Sequence, residues 1–209
     1  MSTDASLPVS RPRRRWPWFL LIGLLLLVVL RGLVVETFTV PSASMSPTLH
    51  VGDRIVVWKP GAHDLHRGDL IVFNGDGVFS QAPAAPGGLA GAVRSVGTAL
   101  GVRVGESDYV KRVIGLPGDH LTVGSDGVLM VNGTAVNESY LPAGMSSSAT
   151  SFDIRVPAGR IFVMGDNRIA SDDSREHLGD PGGGTVPQDQ VIGTVTFRYW
   201  PLGSWGTLR

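Results

Sequence analysis

The chain has 209 residues, no net charge and no cysteine, with 28 glycines and 14 prolines. The absence of cysteine excludes disulfides, thiolate metal sites and a cysteine nucleophile, and the balanced charge offers nucleic acid no footprint. So much glycine and proline favours turns and strands over long helices, and the roughly 170 residues beyond the N-terminal segment suffice for one domain with its own core.

Residues 1–15 form a basic tail, with Arg11, Arg13, Arg14 and Arg15 ahead of an apolar run. Trp16 to Leu30 carries no charge, and extension past Arg31 to Val35 gives 20 residues. At about 1.5 Å per residue that reaches about 30 Å, one bilayer core. Arg31 stands near the outer end, where it can snorkel to the headgroups, and Trp16 and Trp18 mark the inner interface. With basic residues before the run and no basic cluster after it, the positive-inside rule puts the N-terminus in the cytoplasm. A cleavable signal peptide is the competing reading, and Ser42–Ser44 ("SAS") even supplies small residues at the right spacing. Ser44, however, lies 14 residues past Leu30, with Arg31 and Glu36 between them. That is too far and too charged for an ordinary cleavage region. The sequence therefore predicts a retained transmembrane helix over 16–35 in a single-pass cell-membrane protein, with an extracytoplasmic domain over 36–209.

Beyond the helix, Ile55–Trp58 and Leu70–Phe73 are short β-branched runs separated by turn residues and read as two strands. Residues 74–107 are rich in Gly, Ala and Pro and read as an insertion, with "LAGAVRSVGTALGV" a short amphipathic helix inside it. Residues 108–136 predict three or four strands joined at Pro-Gly-Asp, Ser-Asp-Gly and Asn-Gly turns. Two more strands are predicted, at 152–164 and 191–200, with a polar glycine-rich loop over 165–187 between them. The fold class is mainly β.

No G-x-S-x-G elbow, P-loop or H-E-x-x-H occurs. His63 and His66 with Asp64 have the makings of a metal site, but a solvated loop between strands is the plainer reading. A serine–lysine pair is the remaining chemistry. Serine needs a base, and with an ordinary lysine pKa of about 10.4 only roughly 4 lysines in 10,000 are neutral at pH 7. Lowering that pKa to about 7 takes ~4.6 kcal/mol against the charged form, which burial among apolar groups can supply. There are two lysines. Lys59, before Pro60 and Gly61, belongs to a solvated turn. Lys111 lies in a β run with Tyr109, Val110, Val113 and Ile114, where two readings stay open: a buried base, or an alternating edge strand with Lys111 facing water.

Four segments, "PSASMSPTL", "RGDLIVF", "DYVKRVIGLPGD" and "MGDNRIASDDSR", occur in this order behind the apolar run. Together they resemble the sequence boxes of the bacterial type I signal peptidases (leader peptidases), over about residues 16–200 apart from the 74–107 insertion. The resemblance implies a signal-peptidase-like β-sheet catalytic domain behind one transmembrane helix. It implies a serine endopeptidase that cleaves exported preproteins after small residues at −3 and −1, at the lipid bilayer and without metal or cofactor. By the same resemblance Ser44 is the nucleophile and Lys111 the general base. Ser42 and the Ser44 backbone N–H form the oxyanion hole, and Ser171 orients the lysine amine. Asp173 and Arg175 brace the loop as an ion pair, and Asp166 is a further polar support. An extended substrate adds a strand to the sheet, with apolar pockets lined by Phe38, Val40, Met45, Leu49, Tyr109 and Val110. Ile169 and Ala170 replace an Asp-Asn pair usual in the last box, which puts that loop's hydrogen bonding in question and leaves room for a non-catalytic anchored β domain that binds an envelope partner. A self-cleaving repressor-like Ser/Lys protease and a Ser-His-Asp hydrolase using His120 are the other rivals. The His120 mechanism is tested by replacing each base alone: Lys111→Ala is expected to abolish preprotein cleavage and His120→Ala to retain it, and the opposite pattern would establish the histidine.

Overall fold

The computed structural model describes residues 16–79 and 108–208; the basic tail, and residues 80–107 of the expected insertion with its short helix, lie outside the described residues. Helix α1 spans Trp16–Val34 and passes without a loop into strand β1, Val35–Thr39. Among the described residues no helix is long and apolar enough to cross a membrane, so the transmembrane span expected over 16–35 is not confirmed. The apolar side chains of α1 nonetheless face outward, Trp18 at 67% and Leu25 at 63% exposure, and the helix meets the rest of the chain at β1 and the 3₁₀ turn Lys59–His63.

That junction corrects the expectation for Lys59. Its ammonium donates to the Gly32 carbonyl at 2.8 Å and lies 3.0 Å from the carboxylate of buried Glu36. A cation at the last carbonyls of a helix satisfies groups that have no intrahelical partner and complements the helix dipole. The 3₁₀ turn thus caps α1 instead of dissolving in solvent.

The β residues form two antiparallel sheets. The larger takes the order β1, β2 (Arg54–Trp58), β11 (Val191–Trp200), β3 (Leu70–Asn74), β4 (Asp108–Gly115), β9 (Arg160–Met164) and β10 (Val186–Pro187), with β12 (Gly206–Thr207) beside β11. The smaller runs β7 (Thr134–Ala135), β6 (Leu129–Val131), β5 (His120–Val123), β8 (Phe152–Arg155). Along β3 the alternation is apolar on both faces: Leu70 and Val72 enter one core with Val40, Met45, Leu49, Ile55 and Val110, while Ile71 and Phe73 enter another with Val113, Ile161 and Val163. A strand buried on both faces reads as a continuous apolar run, which is why β3 shows no polar alternation in sequence. A third core, around Ile114, Leu121, Leu129 and Phe162, joins the two sheets.

The expected single strand over 152–164 is two. The chain turns at Pro157–Gly159, where Gly159 has φ +70° and Arg160 N–H returns to the Pro157 carbonyl at 3.2 Å. β8 joins the small sheet and β9 the large one. Residues 74–79, read as the start of an insertion, belong to the fold: Phe79 is buried and packs edge-on against Phe73 at 5.5 Å.

Close approach sets one glycine in β11. A Cβ on Gly193 would stand 2.5 Å from the Trp58 carbonyl oxygen of the neighbouring strand, whose backbone cannot yield cheaply. Gly193→Ala is expected to cost about 1–3 kcal/mol, seen as a lowered thermal midpoint. Gly203→Ala, where a Cβ meets nothing within 4 Å, should leave the midpoint in place.

Candidate active site

β1 ends at Thr39 and the chain folds back into β2 across a hairpin closed by Val40 N–H to the Asp53 carbonyl (2.8 Å) and Gly52 N–H to the Val40 carbonyl (2.9 Å). Inside it, Ser42 leads in extended geometry into the 3₁₀ turn Ala43–Met45. Met45 is fully buried and pins that turn to the core. Ser44 is thereby held against β4, 9% exposed.

β4 is not an edge. It pairs with β3, placing Ile71 opposite Lys111, and with β9, placing Met164 opposite Arg112. Lys111 therefore does not face water: it is 3% exposed, and its Nζ donates to Ser44 Oγ at 2.8 Å across 67 residues of sequence. Among the described residues no carboxylate reaches it within ion-pair distance. Burial brings its pKa down to about 8, assisted by Arg175 and resisted by the charges of Asp173, Asp172 and Asp166. Ser42 Oγ lies 3.3 Å from Ser44 Oγ.

The stretch after β9 braces this pair. Asp166 is fully buried and takes a two-pronged bond from Arg112, Nε at 2.8 Å and Nη2 at 2.6 Å, with a third from Thr48 Oγ1 at 2.5 Å. Asn167 N–H donates to the Ser44 carbonyl at 3.0 Å, and its side-chain amide to the Ala43 carbonyl at 3.1 Å. Asp173 and Arg175 form a buried bidentate pair with both contacts at 2.9 Å. Burial disfavours the Asp173 carboxylate, but the Arg175 guanidinium and the Gly165 N–H hold it below the usual carboxylate range. The Ser171 hydroxyl is buried here but makes no hydrogen bond to the Lys111 amine. Ile169 is 86% exposed and Ala170 is exposed as well, so the departure at these positions removes nothing from the buried bracing.

Of the expected pocket residues, Val40, Met45, Tyr109 and Val110 line a small cleft of ≈ 180 Å³ together with Ser42, Ser44 and Lys111. Leu49 does not reach it, being fully buried in the core under the turn, and Phe38 packs against that same core. His120 sits in the small sheet, its ring 2.7 Å from Asp153 and away from Ser44. His66 and Asp64 are exposed and 3.9 Å apart.

Several supports carried no signal of their own in the sequence. These are Arg112, Thr48, Asn167 and an ion pair from Arg168 to Glu138 at 2.5 Å that ties the loop to the small-sheet side. Arg112 also stacks over Tyr140, 4.0 Å from the ring centre. Only the motif order pointed to Asn167; nothing local distinguishes Glu138 from a surface glutamate.

The chain matches the family described as "Signal peptidase, peptidase S26" over residues 13–200. It is 37% identical to the signal peptidase I of Mycobacterium tuberculosis (strain ATCC 25618 / H37Rv), covering 99% of this chain and 79% of that protein. It is 36% identical to a probable signal peptidase I of Mycobacterium leprae (98% and 84%) and 35% identical to the signal peptidase I of Bacillus caldolyticus (90% and 91%). The chain belongs to the signal peptidase family, peptidase S26, and is a signal-peptide-cleaving serine endopeptidase.

Gly165 is where the bracing is tightest. A Cβ there would stand 2.1 Å from Ser171 Oγ and 2.5 Å from the Ser44 carbonyl oxygen. Gly165→Ala should push the Ser44 turn off Lys111 and lower preprotein cleavage by about 10²-fold, the cost of a misplacement near 1 Å. Cleavage rate and unfolding midpoint measured on the same protein would separate this from loss of fold.

Proposed function

We propose that Ser44 and Lys111 are the catalytic dyad of this peptidase. The observation that carries the reading is the buried 2.8 Å contact between Lys111 Nζ and Ser44 Oγ, with the amine pKa brought to about 8 by burial. In its neutral form the amine accepts the Ser44 proton across that same contact as the hydroxyl attacks the scissile carbonyl. The ammonium then returns the proton to the departing amine, and a second cycle with water releases the acyl group. The negative charge that builds on the carbonyl oxygen is met by the Ser42 hydroxyl and the Ser44 N–H, a pair of donors of the kind whose single loss costs ~10²–10³ in rate. Ser171, whose hydroxyl is buried against Gly165, belongs to the loop after β9. Asp166, Asp173 and Arg175 hold the loop that carries it.

The apolar lining supports selection of small residues at −3 and −1: Val40, Met45, Tyr109 and Val110 wall a cleft of ≈ 180 Å³ beside the dyad, and both substrate side chains have to share that space. An exported preprotein would lie there extended, as an added strand. The domain over 36–209 stands outside the cell membrane, with α1 as a single-pass anchor and the tail 1–15 in the cytoplasm. The outward-facing apolar side chains of α1 favour this, as do the exposed indoles of Trp200 (49%) and Trp205 (64%), a residue type that gathers at membrane interfaces. No cofactor takes part.

Ser44→Ala is expected to abolish preprotein cleavage with the fold intact. A base of pKa about 8 is active when deprotonated, so kcat/KM should rise with pH and level off above pH 9. The neutral fraction grows about tenfold from pH 7 to pH 9. A profile flat from pH 6 to 9 would exclude Lys111 as the base.

A further inference from the structure

His177 lies outside the dyad, in the stretch 165–187 that carries Ser171 and Asp173. Both of its ring nitrogens face carboxylates: Nδ1 is 2.7 Å from Asp180 Oδ2, and Nε2 is 2.9 Å from Asp172 Oδ1. An ionised carboxylate only accepts hydrogen bonds, and a neutral imidazole has a single N–H to donate. Both contacts are satisfied together only by the imidazolium. The ring is 17% exposed and stacks on Phe79, centroids 4.7 Å apart at 14°. Phe79 in turn meets Tyr109 edge-on at 5.5 Å, and Tyr109 lines the dyad cleft with Lys111.

The charged groups around the ring, among the described residues, are few. Asp172 and Asp180 touch it, and Glu176 precedes it on an exposed turn. Arg175 is committed to Asp173. Tyr109 stands behind Phe79, with Asp76 and Asp172 acting on it, and Lys111 lies two residues along β4. Asp172 is the link to the chemistry. It adjoins Ser171 and Asp173, and its charge favours the protonated form of the Lys111 amine, which is the form that cannot act as a base.

We propose that His177 is a positioning residue for the catalytic base, its imidazolium clipping Asp172 to Asp180 and shielding the Lys111 amine from the Asp172 charge. The proposal rests on the dyad reading. Burial disfavours the charged ring, but the two carboxylates prevail and hold its proton above the ordinary imidazole value. A group whose folded pKa is raised contributes fully below its unfolded value of about 6.5 and loses that contribution as pH rises through the folded one. The clip is therefore complete on the acid side, where neutral Lys111 is scarce and shielding matters most.

The test is the pH profile of kcat/KM for the full-length protein in detergent with a purified preprotein. His177→Ala should move the acid limb upward by a few tenths of a unit, an about twofold to fivefold loss at pH 7 that is regained by pH 9. Asp172→Asn should move the limb downward. The double variant should follow Asp172→Asn alone, because no carboxylate is left to shield. A loss in His177→Ala of equal size at every pH, or a double variant showing the sum of the two single shifts, would overturn the proposal. Lys111→Ala measured alongside separates the two readings. If it retains cleavage the dyad is wrong; if it is inactive and the His177→Ala limb has not moved, the shielding role alone is wrong.

Discussion

Two adjacent cations are buried on an interior strand, and the site depends on their unequal treatment. Lys111 and Arg112 are 3% and 2% exposed and, as neighbours on β4, point to opposite faces of the sheet. Arg112 is given a full partner in Asp166, in bidentate geometry with a threonine completing the carboxylate. Removing one member of such a pair typically costs about 3–5 kcal/mol, because the other is left charged and buried. Among the described residues Lys111 is given no carboxylate within ion-pair distance, only a hydroxyl. An arginine cannot relieve its burial by losing a proton, whereas a lysine can. The same low-polarity strand thus holds a structural ion pair at one residue and, at the next, a lysine whose pKa burial brings down to about 8.

The partner of Arg112 also builds the rest of the site. Asp166 is followed by Asn167, whose two amide groups hold the carbonyls of Ala43 and Ser44, and is preceded by Gly165, whose lack of a side chain lets Ser171 and the Ser44 carbonyl approach. Serine and lysine are therefore not merely near each other: the turn carrying one is bonded to the loop braced by the neighbour of the other. At the far end, β1 runs from the Lys59-capped end of α1 straight into the Ser44 turn. A single stiff element thus fixes how far Ser44 stands from the helix.

Much of the architecture is legible in the sequence. β2, β3 and the four strands over 108–136 follow β-branched runs and Gly or Asn-Gly turns, because those signals are local. The break inside 152–164 is marked by Pro157 and Gly159, yet the apolar pattern on either side reads as one strand. β4 cannot be told from an edge strand, because its neighbour β9 comes from some fifty residues later in the chain. Lys59 looks solvated because its partners, Gly32 and Glu36, belong to an element whose end it caps. Proximity to Ser44 suggests Leu49 and Phe38 for the cleft, but the fold directs both toward the core beneath it.

What the sequence alone determined is the inventory. It holds no cysteine, only two lysines, a serine in a proline-flanked turn after an apolar run, and an ordered set of motifs that marks the family. These are properties of composition and local pattern. The tertiary structure decided which lysine loses its water, which carboxylate is withheld from it and given to Arg112, and which side chains face the cleft. Those outcomes depend on burial and charge at pairs 54 and 67 residues apart, and a group's pKa is set by what the fold packs around it, not by its neighbours in the chain.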